Sequence, residues 1–344
     1  MDLFMLDVIR RTDIPVLFLH NVDPLWSKQE AVSALADVGA MRDALIAEGH
    51  PVTELQISNP NLQDALKPYR PDEYIVLNWC EELPGLPKSE AEVAAILSIK
   101  SYTYTGSTPE VIAVSGQKMD VKAALRKKGI PTPTGRIIKS EDVDQWSCFP
   151  AIVKPSHEHC SIGVTDQAIV FNQRELRERI EYVEDTLNQP ALVEDFIAGR
   201  EFHVSVWGNK QIEILPPAEM DFSAFTDMRR HLCTYDSKFI PGSEDFEKVG
   251  IIIPVALDAQ QYDQLQKVVA DSYRALGCRD YARIDLRLRD NTFYILDINP
   301  NADLSPETTM VFAAALKGIS YGEFASRIVN LAAQRHPIFG ASFK

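Results

Sequence analysis

The chain has 344 residues, of which 45% are hydrophobic and 24% are charged. This composition is typical of a folded globular protein, and it excludes both an intrinsically disordered chain and a low-complexity tail. The formal net charge is −14 at pH 7, and the basic residues are scattered along the chain. We therefore expect no nucleic-acid partner, because neutralising a phosphate backbone needs a clustered basic surface.

The cysteines and the hydropathy predict a cytoplasmic protein with no membrane partner. The five cysteines are far apart, form no C-x-x-C pair and are odd in number, which is typical of a reducing compartment. No stretch reaches the roughly 18 uninterrupted apolar residues of a transmembrane helix. The first eleven residues carry two acids and two arginines, which differs from a secretory signal.

Strand-like and helix-like segments alternate in the first hundred residues. Apolar runs at Val16–Val22, Pro51–Ile57 and Glu73–Trp79 predict strands, and apolar residues at helical spacing predict a helix over Glu30–Glu48. Strand–helix–strand repeats of this length are typical of parallel βαβ units. The sequence therefore predicts an N-terminal domain over residues 1–110 with a doubly wound parallel sheet, which is either scaffold or part of the site.

A proline- and glycine-rich stretch at 129–135 follows a predicted helix over Gln117–Lys128 and is the best linker candidate. The segments after it are expected to be strands at Ala151–Lys154, Gly163–Val170, Ala191–Ile197 and Glu201–Trp207, helices at Gln173–Leu187 and Ala259–Leu276, a hairpin at Tyr281–Asn299, and two further helices. These elements predict a small central α+β domain (111–200) and a C-terminal α+β domain (201–344) that contains the hairpin.

The predicted hairpin carries opposed polar residues. With a three-residue loop at Asp290–Thr292, Asp285 faces Asp297 and Arg283 faces Asn299, whereas a two-residue loop would put the two acids on different faces. Opposed carboxylates repel unless a cation lies between them, and two carboxylates with an amide oxygen suit Mg²⁺. The alternative is a solvent-facing hairpin whose charges serve solubility.

Charged residues also stand at the ends of other predicted strands. Lys154 ends an apolar strand and precedes a polar loop that contains Ser161, an arrangement suited to clamping a phosphate group. Glu194 ends a later strand and Glu201 opens the next one. The polar loop also offers an alternative, a transition-metal site that lacks a fourth ligand and is formed by His157, His159 and Cys160.

Together these motifs resemble the ATP-grasp carboxylate–amine ligases, and within them the D-alanine–D-alanine ligase-like family. The matching segments run in order from about residue 100 to 310: Tyr104-Thr-Gly106, Gln117-Lys118, Gly129-Ile-Pro-Thr-Pro133, Ile152-Val-Lys-Pro155, Ser161-Ile-Gly-Val164, Val193-Glu-Asp-Phe-Ile197 with Gly199-Arg-Glu-Phe202, Tyr235-Asp-Ser-Lys238, Ala282-Arg-Ile-Asp285 and Leu296-Asp-Ile-Asn-Pro300. Each segment is common, but their order is specific. The resemblance implies an α/β ATP-grasp fold in which the three predicted domains surround a nucleotide site.

Carried over by position, the resemblance implies a role for each matching polar residue. Nucleotide binding would involve Lys118 and Lys154 at the phosphates, Glu194, Phe196 and Ile197 at the adenine, and Glu201 at the ribose hydroxyls. The cofactors would be ATP and Mg²⁺, with Mn²⁺ as an alternative, and the metal ligands would be Asp285, Asp297 and Asn299. The catalytic residues would be Arg283 at the oxyanion, Lys238 at the phosphates and Ser161 in the closing loop.

Substrate candidates follow the metal motif. Asp303, Ser305 and Thr308 stand at the start of a predicted helix whose N-terminus would receive a substrate carboxylate, although Ser305 before Pro306 is equally well a helix N-cap. Glu81 and Glu82 would meet a substrate ammonium group or simply be solvated.

The activity that the resemblance implies is amide formation between two small molecules. A carboxylate substrate would accept the γ-phosphoryl group, and an amine, most simply that of an amino acid, would attack the acyl phosphate to give an amide or dipeptide with ADP and phosphate. A homodimer is one option for its assembly. An alternative is a nucleotide-binding regulator without turnover. A nicotinamide-dependent enzyme is discounted because no G-x-G-x-x-G follows the first strand.

Two segments depart from the family pattern. The first strand ends in His20-Asn-Val-Asp-Pro24 instead of a glycine-rich turn, and the polar loop reads Ser156-His-Glu-His-Cys160 instead of a Gly-Ser-Ser run. In the family, the N-terminal domain helps to hold the first amino acid. We therefore expect D-alanine alone to be a poor substrate.

Overall fold

The computed structural model describes residues 10–157 and 161–343, which form three sheets with helices packed against them. The strands are β1 (Val16–Asn21), β2 (Val52–Ile57), β3 (Ile75–Trp79), β4 (Thr103–Tyr104), β5 (Gly135–Ile137), β6 (Ala151–Pro155), β7 (Ile169–Val170), β8 (Ala191–Asp195), β9 (Arg200–Gly208), β10 (Ile212–Ile214), β11 (Ala218–Asp221), β12 (Gly250–Ile252), β13 (Tyr281–Arg289) and β14 (Thr292–Asn299). The helices are α1 (Lys28–Glu48), α2 (Leu62–Ala65), α3 (Glu90–Ile99), α4 (Pro109–Ser115), α5 (Lys118–Lys127), α6 (Gln173–Leu187), α7 (Tyr235–Phe239), α8 (Glu244–Lys248), α9 (Ala259–Leu276), α10 (Thr309–Leu316) and α11 (Tyr321–Ala333). Among the described residues, no helix combines the length and apolarity needed to span a membrane.

The first sheet is parallel, in the order β2-β1-β3-β4. Val16 and Phe18 of β1 pack with residues of α1 and α11, whereas Leu17 and Leu19 pack with residues of α3 on the opposite face. Alternate residues of a strand point to opposite faces, so a strand that is apolar throughout requires helices on both sides. The predicted doubly wound parallel sheet is confirmed.

The second sheet is antiparallel, in the order β5-β8-β6-β7, and α6 covers it. The predicted strand over Gly163–Val170 is wrong except for its last two residues, which form β7. Ser161 and Gly163 adopt left-handed backbone angles, with φ of 62° and 73°, and a 3₁₀ turn over Asp166–Ala168 follows them. A left-handed turn cannot continue an extended strand, which explains the shorter element.

The third sheet is antiparallel, in the order β12-β11-β9-β13-β14, with β10 paired to β9. Alternate apolar residues of its central strands, such as Val204 and Ile284, pack against α5 and α9 through Val121, Leu125 and Leu265. One face of this sheet is therefore a hydrophobic core. The residues between them along each strand point to the other face, which carries the polar groups described below.

The hairpin of β13 and β14 has the predicted pairing, but its loop length and register differ from the prediction. Its loop contains two residues, Asp290 and Asn291, with φ of 49° and 59°, so the predicted three-residue loop is wrong. A β-bulge shifts the register, because Leu286 pairs with Ile295 whereas Asp285 pairs with Asp297. The extra residue in β14 restores the predicted pairing of Asp285 with Asp297 and of Arg283 with Asn299.

Candidate active site

The polar face of the third sheet brings together five of the predicted site residues, namely Glu201, Arg283, Asp285, Asp297 and Asn299. Across β9 and β13, His203 lies opposite Asp285 and Glu201 lies opposite Arg287. Asp297 and Asn299 of β14 lie on the other side of β13. Three adjacent strands thus present acids, bases and an amide on a single surface.

Asp285 is the central acid of this surface, and it is only 9% exposed. Arg283 donates to both of its carboxylate oxygens, at 2.8 and 3.0 Å. Burial by itself would raise the pKa of Asp285, but the guanidinium of Arg283 outweighs that effect and the pKa lies below its ordinary value. The alternative of a solvent-facing hairpin is wrong for this residue.

The metal ligands predicted from the hairpin lie beside one another. The Asn299 side-chain amide donates to Asp285 Oδ2 at 3.4 Å, and Asp297 Oδ1 accepts from the backbone amide of Ile298 at 2.9 Å. Two carboxylates and one amide supply the hard oxygen ligands that Mg²⁺ prefers. The residues present therefore fit this ion.

Glu194 has a partner that the sequence analysis did not identify. Its side chain is 1% exposed, and its two oxygens contact Lys122 Nζ and Lys154 Nζ, each at 2.5 Å. Burial alone would raise its pKa, but the two ammonium groups lower it to about 2. Glu194 thus holds Lys154 at the end of β6, and its contact with adenine stays a prediction.

Lys122 is the partner that was missed. It lies one helical turn after Lys118 in α5, and residues four apart share one face of a helix. Its ammonium group also donates to Thr132 Oγ1 at 3.0 Å and to the carbonyl oxygen of Pro133 at 3.2 Å. The sequence contains a signal for this role, because Lys118 and Lys122 are four residues apart in one predicted helix.

Arg287 connects the residues predicted to bind adenine and ribose. Its buried guanidinium donates to Glu201 Oε2 at 2.7 Å and to the carbonyl oxygen of Ile197 at 3.1 Å, and it lies 4.7 Å from the centre of the Phe196 ring. Despite its burial, Glu201 has a pKa lowered to about 2 by Arg287 and His203. The role of Arg287 was not predicted, and the signal for it in the sequence is its place among the alternating polar residues of β13.

Two predicted catalytic residues meet at the polar loop. Lys238 Nζ donates to Ser161 Oγ at 2.9 Å, and Ser161 Oγ donates to the carbonyl oxygen of Cys233 at 2.6 Å. These bonds connect the end of the loop to the segment that leads into α7. His159 and Cys160, which belong to the alternative transition-metal site, lie outside the described residues.

The three substrate candidates form one turn. Asp303 Oδ1 accepts from the backbone amide of Ser305 at 2.8 Å and from its hydroxyl at 2.5 Å, and Thr308 Oγ1 donates to the carbonyl oxygen of Ser305 at 2.9 Å. The N-cap of α10 is Thr308. The alternative role of Ser305 as the helix N-cap is therefore wrong, because the helix begins at Thr309, three residues later than a Ser305 cap requires.

Several acids converge next to this turn, and within the described part of the chain no cation lowers the pKa of Glu81 or Glu90. Desolvation and the nearby carboxylates of Asp303, Glu90 and Glu82 raise the pKa of Glu81 to about 7. Desolvation also raises the pKa of Glu90 to about 7, although its carboxylate accepts from the Asn301 amide at 2.7 Å. Glu81 was among the predicted residues, whereas Glu90 was not, because it lies in the first turn of α3 and resembles an ordinary helix acid.

A family model described as D-ala D-ala ligase C-terminus matches residues 123–330. The chain belongs to the D-alanine–D-alanine ligase family. Within it, the D-alanine–D-alanine ligase of Desulforamulus reducens is 30% identical over 265 residues, which cover 74% of this chain and 80% of that protein. The uncharacterized protein y4sG of Sinorhizobium fredii is 31% identical over 265 residues, which cover 76% of this chain and 75% of that one.

The fold of this family member is also that of a solved ligase. The crystal structure of D-alanine–D-alanine ligase from Bacillus anthracis, complexed with ATP, superposes with a TM-score of 0.72 at 19% identity and covers 94% of this chain and 98% of that one. The predicted ATP-grasp fold is confirmed. The chain is an ATP-dependent ligase of this family, and these relatives give the regulatory alternative no support.

Proposed function

We propose that this ligase joins a carboxylate to the amine of an amino acid, with the nucleotide and Mg²⁺ on the polar face of the third sheet. The observation that carries the proposal is the opposed pair Asp285 and Asp297, with Arg283 bonded to Asp285 and Asn299 beside it. An ordinary structural hairpin has no need to bury this charge. Mg²⁺ bound there neutralises charge on the phosphates while the phosphoryl group is transferred.

The lysines provide the phosphate side of the proposed site. Lys154 is held at the end of β6 by Glu194, which is also paired with Lys122. One buried anion between two cations leaves one positive charge in excess, and phosphate oxygens are suited to balance it. Lys118, one turn before Lys122, would extend this charge, and Lys238 would approach from the other side together with Ser161.

Arg283 would act on the substrate. Its guanidinium is fixed by two hydrogen bonds to Asp285, and such a fixed donor stabilises an oxyanion without reorganising during the reaction. Amine attack on the acyl phosphate places negative charge on the former carbonyl oxygen, which Arg283 would receive. The loop that carries Ser161 would exclude water from the acyl phosphate.

The acids around Glu81 support an amine substrate. Glu81, Glu90 and Asp303 lower the electrostatic potential beside the turn of Ser305 and Thr308, and no described cation offsets them there. A substrate ammonium group would replace the missing cation. The carboxylate of the same amino acid would face the N-terminus of α10 at Thr308.

The N-terminal segment supports substrates other than two D-alanines. In place of a glycine-rich turn, buried Asp23 follows β1 and accepts from the backbone amides of Leu25 at 2.7 Å and Gly85 at 2.6 Å. It thereby fixes the loop that also contains Glu81. A site that hydrogen-bonds particular groups discriminates strongly against substrates that lack them. The cytoplasmic location and the homodimer stay predictions.

The test is ADP release by purified protein with ATP and Mg²⁺ against a panel of amino acids and small amines, offered singly and in pairs. We expect release to require a carboxylate and an amine together. Release that does not change with any substrate would contradict the ligase assignment. ATP binding without turnover across the panel would instead favour the regulatory alternative.

A further inference from the structure

Three side chains of different chemistry meet beside the metal face. One ligand atom each from Glu201, His203 and Cys233 lies within 4.8 Å of the other two, with Glu201 and His203 buried and Cys233 half-buried. None of the roles assigned above uses His203 or the thiol of Cys233. The cluster lies on the polar face of β9 and on the segment that Ser161 anchors.

The distance between Glu201 and His203 suits a shared metal ion. Glu201 Oε1 lies 3.5 Å from His203 Nε2, whereas two ligand atoms on a tetrahedral zinc ion are about 3.3 Å apart when each bond is about 2.0 Å. Arg287 bonds to Oε2 of Glu201, so the oxygen that faces His203 is the other one. The carboxylate can therefore keep its arginine and still bind a metal.

The ligand types select a class of metal. A thiolate, an imidazole and a carboxylate form the mixed set that binds Zn²⁺ and related transition metals, whereas Mg²⁺ prefers oxygen ligands alone. Three protein ligands leave a fourth position for water. Burial keeps the thiol of Cys233 protonated, since its pKa lies well above the ordinary value. Metal binding would thus form a metal–sulfur bond and release that proton to solvent.

We propose that Glu201, His203 and Cys233 form an inhibitory Zn²⁺ site that excludes ATP. The metal site follows from the geometry of the three side chains. The exclusion rests on the proposed function, because Glu201 is there the residue that holds the ribose hydroxyls. A carboxylate oxygen engaged by Zn²⁺ is not available to the ribose, so the two ligands compete.

Binding is tested first with Co²⁺, which gives a thiolate-to-metal charge-transfer band when cysteine coordinates it. We expect this band at one equivalent of Co²⁺ in the full chain, its loss in Cys233→Ser, and its persistence in Cys148→Ser, where an exposed thiol is changed. Cys160→Ser serves as the second control. A band that is kept in Cys233→Ser and lost in Cys160→Ser would overturn the site.

Competition is tested by turnover with Mg²⁺ and increasing Zn²⁺. We expect Zn²⁺ to raise the KM for ATP in the wild type, and Cys233→Ser to keep its turnover while needing at least about tenfold more Zn²⁺ for the same effect. Equal Zn²⁺ sensitivity in both proteins would overturn the inhibitory role. The Co²⁺ band needs no catalysis, so a failure of the ligase assignment and a failure of the metal site give different results.

Discussion

The acids on the two sides of the proposed active site have opposite electrostatic surroundings. On the polar face of the third sheet, Glu194, Glu201 and Asp285 each lie beside a cation, and their pKa values are lowered. Beside the N-terminal domain, Glu81 and Glu90 lie near other acids, and their pKa values rise to about 7. On the nucleotide side each of these acids has a cation beside it before any ligand binds, whereas on the substrate side no cation of the described residues lowers the pKa of Glu81 or Glu90.

The difference between the two groups of acids follows the resemblance of the chain to its family. The paired acids lie in segments that match the family motifs, and a buried acid with its cation beside it remains charged. Glu81 and Glu90 lie next to the segment that departs from the pattern. We therefore predict a retained activation chemistry with changed substrates, and the following variants test each side.

The largest effect is expected for Asp297→Asn, which removes one charge from the proposed metal site. We expect turnover to be abolished and the fold to be kept, because Asp297 is partly exposed and its backbone pairing with Asp285 does not need the charge. Thermal stabilisation by Mg²⁺ with ATP should be large in the wild type and much smaller in the variant. Equal shifts in the two proteins would refute the metal assignment.

Glu194→Gln tests the paired side by leaving two buried lysines without their anion. Breaking a buried ion pair from one side costs about 3–5 kcal/mol, so the free energy of unfolding at pH 7 should fall by that order. The pKa of Glu194 is lowered from 4.5 to about 2, so its contribution is present above pH 4.5 and is lost as the pH falls toward 2. Chemical denaturation of both proteins from pH 2 to pH 7 measures this. If the two proteins differed in free energy of unfolding by the same amount from pH 2 to pH 7, the ion pairing of Glu194 would be contradicted.

Lys154→Ala should weaken ATP handling far more than Lys128→Ala. Lys154 is held beside Glu194 at the end of β6, where a bond to a phosphate would be charge-assisted and partly desolvated, worth about 1.5–3 kcal/mol or roughly 10- to 160-fold. Lys128 is exposed at the end of α5 and serves as the matched control. Initial rates at varied ATP concentrations compare them. The phosphate clamp would be misplaced if both variants gave the same KM and kcat.

The smallest effect is expected on the substrate side, from Glu90→Gln. A raised pKa favours the protonated folded state, so this stability is present below pH 4.5 and is lost as the pH rises through about 7. The variant should therefore melt a few degrees above the wild type at pH 8 and at the same temperature at pH 5. Glu92→Gln, an exposed acid of the same helix, should change neither value. If Glu90→Gln raised the melting temperature equally at both pH values, the charge of Glu90 would not be the cause of the increase.

The sequence predicted the elements whose signals are local. Both long charged helices, Gln173–Leu187 and Ala259–Leu276, have the predicted bounds because caps and apolar spacing define them. The opposition of Asp285 and Asp297 was also predicted, but from a wrong loop. The bulge at Leu296 that produces this pairing depends on contacts across strands and leaves no local pattern.

The partners of the site residues were harder to predict than the residues themselves. Glu194 and Lys154 were identified from strand ends, but Lys122 reaches them only because α5 packs against the third sheet. His203 and Cys233 come together from different segments, 30 positions apart, to form the proposed zinc site. Contacts of this kind depend on tertiary packing, which spacing along one segment does not encode.

The most direct test of a retained activation chemistry with changed substrates is the identity of the product. The protein is incubated with ATP and Mg²⁺, either with D-alanine alone or with a mixture of amino acids and amines, and the amides formed are identified by mass spectrometry alongside ADP. We predict an amide from the mixture, formed together with ADP, and little D-alanyl-D-alanine. Efficient formation of D-alanyl-D-alanine from D-alanine alone would contradict the changed substrate side. The absence of both ADP and amide would contradict the retained nucleotide side.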